Sequence, residues 1–263
     1  MTRTISKSMA GILEELELNN DTFVDMQRLS DLAQKYNVKT EPALIASRLR
    51  KAGWLLPTSQ RGVWEFSPAS MAGAFSKKDP LMPVKAYMMA NPEAICYLCM
   101  QTAAWALGLA DRIPSKRDLA FVNKPASVPK EIAAYHYAPV LEPIMAKGVP
   151  CLTPESIIVH VSLKPGQIRS WESAMEWIPD VVYEINIGSL LKELSGRNDS
   201  VKRRTGYLLQ GMYPEAAEAI AGTVAMTSKI RFGPRTKALR NDEKWKISDT
   251  ILPFDPGELE RVK

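Results

Sequence analysis

The chain has 263 residues, of which 46% are hydrophobic and 24% charged, with a formal net charge of +5 and a pI near 9.0. This fills one large domain or two modest ones, excludes long disordered stretches, and is mildly favourable to a polyanionic partner. Three cysteines make no disulfide framework, no charged-then-apolar leader opens the chain, and the most apolar stretch (94–110) is broken by Gln101 and Thr102, so a cytoplasmic protein without a membrane segment is expected.

Residues 8–18 place Met9, Ile12, Leu13 and Leu16 at helical spacing, with Glu14, Glu15 and Glu17 opposite, which predicts a first helix with one apolar face. Asn19-Asn20-Asp21 ends it, and Thr22-Phe23-Val24 forms a short extended piece. Asp25 stands as the N-cap of a second helix running from Met26 to Tyr36, with Met26, Leu29, Leu32, Ala33 and Tyr36 on one side. After the turn Asn37-Val38-Lys39, Thr40 caps a third helix, Pro42 falls in its first turn, and Gly53 closes it after Ala52.

On that third helix Ile45, Leu49 and Ala52 share a face, flanked by Leu44, while Thr40, Ala43, Ser47, Arg50 and Lys51 fall on the other. Trp54-Leu55-Leu56 and Val63-Trp64-Glu65-Phe66 read as two short strands around a turn carrying Gln60, Arg61 and Gly62. The order is that of a winged helix-turn-helix over residues 1–70, with 40–52 as recognition helix and the hairpin as wing. From Lys39 to Arg61 the cations are Lys39, Arg48, Arg50, Lys51 and Arg61, against Glu41 alone. In a DNA-binding reading Ala43 and Ser47 allow close approach to a major groove. Arg50, Ser47 and Thr40 face base edges, and Lys39, Arg48, Lys51, Gln60 and Arg61 meet phosphates.

Residues 67–80, rich in Ser, Ala, Pro and Lys, read as a connector with one helical turn, and a second domain is expected over 81–263. Helices are predicted at 81–90 and 94–107, the latter closed by Gly108, with an extended segment at 118–122. The β-branched runs 157–161 and 181–185 read as strands, and helices return at 189–195, 200–212 and 215–223. Without a βαβ rhythm, the fold class is α+β: an N-terminal winged helix-turn-helix followed by a larger mixed α+β domain. Between Arg197 and Lys246 eleven cations face five acids. Lys202, Arg203, Arg204, Arg235 and Lys237 are candidates for a second basic surface.

No catalytic constellation is visible. Cys96 and Cys99 form a CxxC within what reads as an apolar helix, and Cys151, His136 and His160 do not complete a metal set by spacing, so buried structural cysteines are expected. His160 reads as a strand residue. No GxGxxG, Walker A, GxSxG or HExxH pattern occurs, and neither cofactor nor metal is expected.

Several segments together resemble the AbiEi family, antitoxin transcriptional regulators of type IV toxin–antitoxin systems. They are Gly53-Trp54-Leu55 with Arg61-Gly62-Val63-Trp64, the helix Thr102-Ala103-Ala104-Trp105-Ala106-Leu107-Gly108-Leu109, the segment Arg203-Arg204-Thr205-Gly206-Tyr207-Leu208-Leu209, and Lys244-Trp245-Lys246-Ile247. The resemblance implies a non-enzymatic antitoxin that represses its own operon by binding promoter inverted repeats, two copies on the DNA, dimerised or side by side. It further implies a C-terminal domain that counteracts a nucleotidyltransferase-like toxin. Two rival readings are a protein-interaction module that docks the toxin directly, with the winged helix as scaffold, and an enzyme with its site in the second domain.

Overall fold

The computed structural model describes residues 7–71 and 78–260, so part of the expected connector, 72–77, lies outside the described residues. The chain divides into two compact units, one running to Ala94 and including Ser127–Ile132, the other holding the remainder. No described helix is long and apolar enough to cross a membrane.

The first unit contains α1 (Lys7–Leu18), β1 (Phe23–Asp25), α2 (Met26–Lys35), α3 (Pro42–Lys51), β2 (Leu55–Pro57), β3 (Val63–Phe66) and α4 (Met82–Ala90). The strands form an antiparallel sheet in the order β1-β3-β2, with Val24 opposite Trp64 and Leu55 opposite Phe66. The apolar positions expected from helical spacing converge in its core, where Ile12, Leu16, Leu29, Leu32, Ile45 and Leu49 meet Val24, Trp54 and Phe66. Asp25 caps α2, accepting from Arg28 N at 2.7 Å, as its position before an apolar-periodic run requires. The cap of α3 is Glu41 instead of Thr40 and makes no side-chain bond. Pro42 starts the helix, and its fixed φ and missing amide set the boundary one residue later than Thr40 implied. The helix predicted at 81–90, expected to open the second domain, is α4 and packs on β1 and β3 of the first unit.

The second unit is mixed α+β. In chain order it holds β4 (Cys96–Leu98), α5 (Met100–Leu107), β5 (Arg117–Phe121), β6 (Ile132–His136), β7 (Ile144–Ala146), β8 (Val149–Cys151) and α6 (Pro154–Leu163). There follow α7 (Trp171–Ala174), α8 (Ile178–Tyr183), α9 (Ile187–Leu194), α10 (Asp199–Leu209), α11 (Pro214–Ala221), β9 (Ile230–Phe232), β10 (Arg240–Asp242) and β11 (Ile247–Asp249). One sheet has the order β6-β5-β4-β8-β7, the other β10-β11-β9.

Three expectations are overturned here. The stretch 94–107 is a strand followed by a helix. Cys96 and Leu98 point inward and Tyr97 is half-buried, a period-2 pattern that pairs Cys96 with Phe121 and Leu98 with Leu119. The runs 157–161 and 181–185, read as strands, lie mostly in α6 and α8. Glu155 to Ser162 are all buried, so α6 has no polar face to reveal its period, and its β-branched residues imitate a strand. The signal for helix lay upstream: Thr153 accepts from Ser156 N, and Pro154 occupies the first turn. His160 accordingly sits on a buried helix.

Two packing arrangements hold the C-terminal segments. The Arg203 guanidinium donates to Trp245 O at 2.8 and 2.6 Å and to Lys246 O at 2.7 Å. The fully buried indole of Trp245 lies on Gly206, where an added Cβ would meet ring atoms at 2.0 Å. Gly206→Ala is therefore expected to lower stability by about 1–3 kcal/mol or more, through overpacking against a ring with no room to move. Thermal unfolding checks this, and an unchanged Tm would refute the packing account.

His160 is stacked on Tyr137 at 4.5 Å and meets Tyr135 edge-on at 5.8 Å. Burial, with smaller contributions from Arg197, Lys164 and His136, drops its pKa to about 3 from 6.5. Between those values the unfolded chain binds a proton that the folded one refuses. The stability His160 contributes above pH 6.5 is thus lost at about 1.4 kcal/mol per pH unit as the pH falls through that window. Asp118, raised to about 6 from 3.8 chiefly by burial, has the opposite slope, favouring the fold below 3.8 and losing that contribution as pH rises through 6. The difference between wild type and His160→Phe isolates the histidine. The variant should gain relative stability steadily from pH 6.5 to pH 4 in urea titrations, and a pH-independent difference would contradict it.

Candidate nucleic-acid interface

The third helix stands on a frame set by Glu15. Its carboxylate accepts from Lys35 Nζ at 2.8 Å, Tyr36 OH at 2.7 Å and Asn19 Nδ2 at 3.0 Å, and these bonds hold its pKa down to about 2. Gly11 makes room for the Tyr36 ring, which a Cβ there would meet at 2.6 Å. The end of α2 is thus tied to α1, and the turn to α3 closes with Val38 N on Ala33 O at 2.8 Å.

From this frame α3 buries Ile45, Ala46 and Leu49 and turns Ala43, Leu44, Arg48, Arg50 and Lys51 to solvent, with Ser47 half-buried. Gly53, at φ +78°, reverses the chain, its amide on Arg50 O and that of Trp54 on Leu49 O. Trp54 then stacks with Phe66, fastening the β2–β3 hairpin to the helix. At the tip Thr58 Oγ1 donates to Val63 O at 2.8 Å and accepts from Gln60 N at 3.1 Å, and Gly62 supplies φ +80°. The tip is therefore a bonded turn that aims Gln60 and Arg61.

Arg50, Gln60 and Arg61, 10 or 11 residues apart in sequence, line one concavity of about 470 Å³, floored by Met26, Thr58 and Trp64. Lys39, Thr40, Ala43, Ser47, Arg48 and Lys51 stand outside that concavity. Among the described residues none of Lys39, Arg48, Arg50, Lys51 or Arg61 forms an ion pair, whereas Arg28 and Lys35 of α2 are paired with Asp21 and Glu15. The geometry brings Arg50 and Arg61 together and leaves all five cations uncompensated, able to meet a polyanion without first breaking internal pairs.

The expected second basic surface is only partly on the surface. Arg203 is buried and committed to the carbonyls of Trp245 and Lys246, so it is withdrawn from that role. A guanidinium that satisfies carbonyls of the closing segment cannot also face a partner. Lys202 and Arg204 are half-buried, and Arg235 and Lys237 are exposed.

Sequence reading missed a polar site in the second unit. Asp118 is buried at a cavity of about 180 Å³ bordered by Gln101, Arg169, Ser170 and Trp177. Arg169 lies 3.0 Å from it, Thr102 Oγ1 and Tyr135 OH each 3.3 Å, and burial raises its pKa despite them. These residues are scattered from Gln101 to Trp177, and no local motif announces them. Among the described residues no group of three or more His, Cys, Asp and Glu could hold a metal ion. All three cysteines are buried, and burial pushes Cys96 up to about 11, Cys151 to about 12 and Cys99 well above its usual value. They are protonated packing residues, as expected, although Cys96 lies on a strand and Cys99 at the start of α5.

No curated protein matches the chain. Among solved structures, the crystal structure of the RV2827C protein from Mycobacterium tuberculosis has the same fold, with a TM-score of 0.77 at 21% identity over 95% of this chain and 94% of that one. The family model described as the AbiEi antitoxin C-terminal domain matches residues 96–211. That stretch runs from β4 to the end of α10 and includes two of the segments that carried the resemblance, Thr102–Leu109 and Arg203–Leu209. Over that stretch the larger unit is thus similar to the AbiEi antitoxin C-terminal domain.

Proposed function

We propose that the chain is an antitoxin of the AbiEi family that binds double-stranded operator DNA through its N-terminal unit, acting as a winged helix-turn-helix, and so represses its own operon. The observation that carries the reading is the meeting of Arg50 from α3 with Gln60 and Arg61 from the hairpin in one concavity without ion-paired acids. A recognition helix in a major groove and a hairpin tip on the adjacent backbone need that proximity. Arg50, Ser47 and Thr40 would read base edges, with Ala43 permitting close approach. Lys39, Arg48, Lys51, Gln60 and Arg61 would meet phosphates. Residues 1–70 form the DNA-binding part in this reading, and 81–263 the antitoxin part, with α4 packed beneath the N-terminal sheet. Inverted repeats would be filled by two copies, and the C-terminal domain would counteract a nucleotidyltransferase-like toxin inside the cytoplasm.

The competing reading, in which the antitoxin works by docking its toxin directly and the N-terminal unit is a scaffold, draws on the exposed apolar pair Ile144 and Met145 of edge strand β7.

A salt-titrated mobility shift on the chain's own promoter fragment, beside a scrambled fragment of equal length, separates the two. Wild type should prefer the promoter and lose affinity steeply with salt, each phosphate contact adding about 0.9 to the log–log slope. Arg50→Ala should cost about 1–3 kcal/mol on the promoter and erode the preference. Arg61→Ala should weaken both fragments alike and flatten the slope by about one. Indifference of promoter binding to both substitutions would sink the DNA reading and leave docking.

A further inference from the structure

The second unit carries a concavity that no part of the antitoxin reading uses. It measures about 470 Å³ and is lined by Arg204, Lys229, Arg231 and Arg235, with Ser200 and Ser248 and no acid. Its construction is specific. Ser200 and Arg204 lie one turn apart on α10, so both point to the same side near that helix's N-terminus. Arg231 on β9 sits opposite Ser248 on β11 in the parallel pair, which sets the two side chains on one face of the sheet. After Phe232 the chain turns at Gly233, whose φ of +112° and closeness to Thr250 and Ile251 leave no room for a side chain. The turn brings Arg235 back to the rim.

Arg204 is the anchor. Its Nε donates to Arg231 O at 2.7 Å and its Nη1 to Leu163 O at 3.2 Å, which fixes the guanidinium plane. Among the described residues no carboxylate pairs with Arg204, Lys229, Arg231 or Arg235. Burial lowers the Arg204 pKa with nothing to offset it. Four cations gathered in one concavity repel one another, and an anion entering it relieves that repulsion. Tetrahedral oxyanions suit the donor set: guanidinium forks and serine hydroxyls matched to three or four oxygens.

We propose that this pocket binds a phosphate group. A free phosphorylated small molecule and a nucleic-acid backbone both offer one. The concave shape, with the cations lining one hollow instead of running along a stripe, favours the free ligand. This inference does not rest on the DNA reading.

The test uses the full chain and pyrophosphate as probe, titrated by calorimetry at constant ionic strength set with chloride. Saturable one-to-one binding is expected. Arg231→Gln/Arg235→Gln, which changes only exposed side chains, should weaken it at least tenfold without moving Tm in ligand-free buffer. Promoter affinity unchanged in that double variant assigns the pocket to a free ligand. Loss of promoter affinity together with competition by pyrophosphate assigns it to backbone phosphate, still a phosphate site. Arg50→Ala should leave pyrophosphate binding intact, so a failed DNA reading cannot be mistaken for a failed pocket. Absence of pyrophosphate binding, or equal binding by wild type and the double variant, overturns the proposal.

Discussion

The architecture of the larger unit depends on a carboxylate with no exposed surface. Glu193, on α9, accepts from Tyr137 OH, from the backbone amides of Val140 and Leu141 at 2.9 and 2.8 Å, from Ser156 Oγ at 3.0 Å and from Arg197 at 3.0 Å. Those donors come from the residue after β6, the loop that follows, the first turn of α6 and the turn after α9. An unpaired buried charge costs several kcal/mol, so the carboxylate enforces this meeting of segments as much as it is served by it. Helix α6 can then be buried against α5, α8, α9 and α10 with the polar side chains of its first turn met: Ser156 by Glu193, and Glu155 by the amide of Asn186 at 3.0 Å.

A second polar assembly closes the C-terminal sheet and packs two of the resembling segments against each other. Arg203, Gly206 and Tyr207 share the inner face of α10. The first holds the Trp245 carbonyl, the second admits its indole, and the third bonds Asp249 at 3.1 Å. Asp249 also receives Arg240 at 2.7 Å and the amides of Ile251 and Leu252. Motifs some forty residues apart are thus one packing unit, and an arginine that reads as a surface cation is a structural crosslink.

The net charge of the chain is modest, and its placement matters more than its size. In the first unit Glu15 of α1 and Asp21 of the loop after it are spent on Lys35 and Arg28. The cations of α3 and the hairpin are left uncompensated. In the second unit the cations around β9 are left likewise. Local fields of this kind, and not the overall +5, govern encounter with polyanions.

Much of the first unit was legible because each element there is amphipathic and half-exposed. Helical spacing located α1, α2 and α3, and the buried faces matched except at Met26 and Tyr36, which are exposed. Asp25 and Gly53 marked their boundaries, while Pro42 shifted one. Composition and spacing also sufficed for the α+β class, the buried cysteines and the cationic run from Lys39 to Arg61. What they could not decide lay in the interior. Where a helix is buried all round, as α6 is, the periodic signal vanishes and β-branched residues mislead; where a strand is three residues long, as β4 is, an apolar run hides it. Whether Arg203 faces water or a carbonyl, whether Asp118 meets Arg169, and whether four cations converge between α10 and β9 depend on contacts across tens of residues. Local periodicity reports which side of an element is apolar, and only the packed chain determines what that side, or the other, comes to touch.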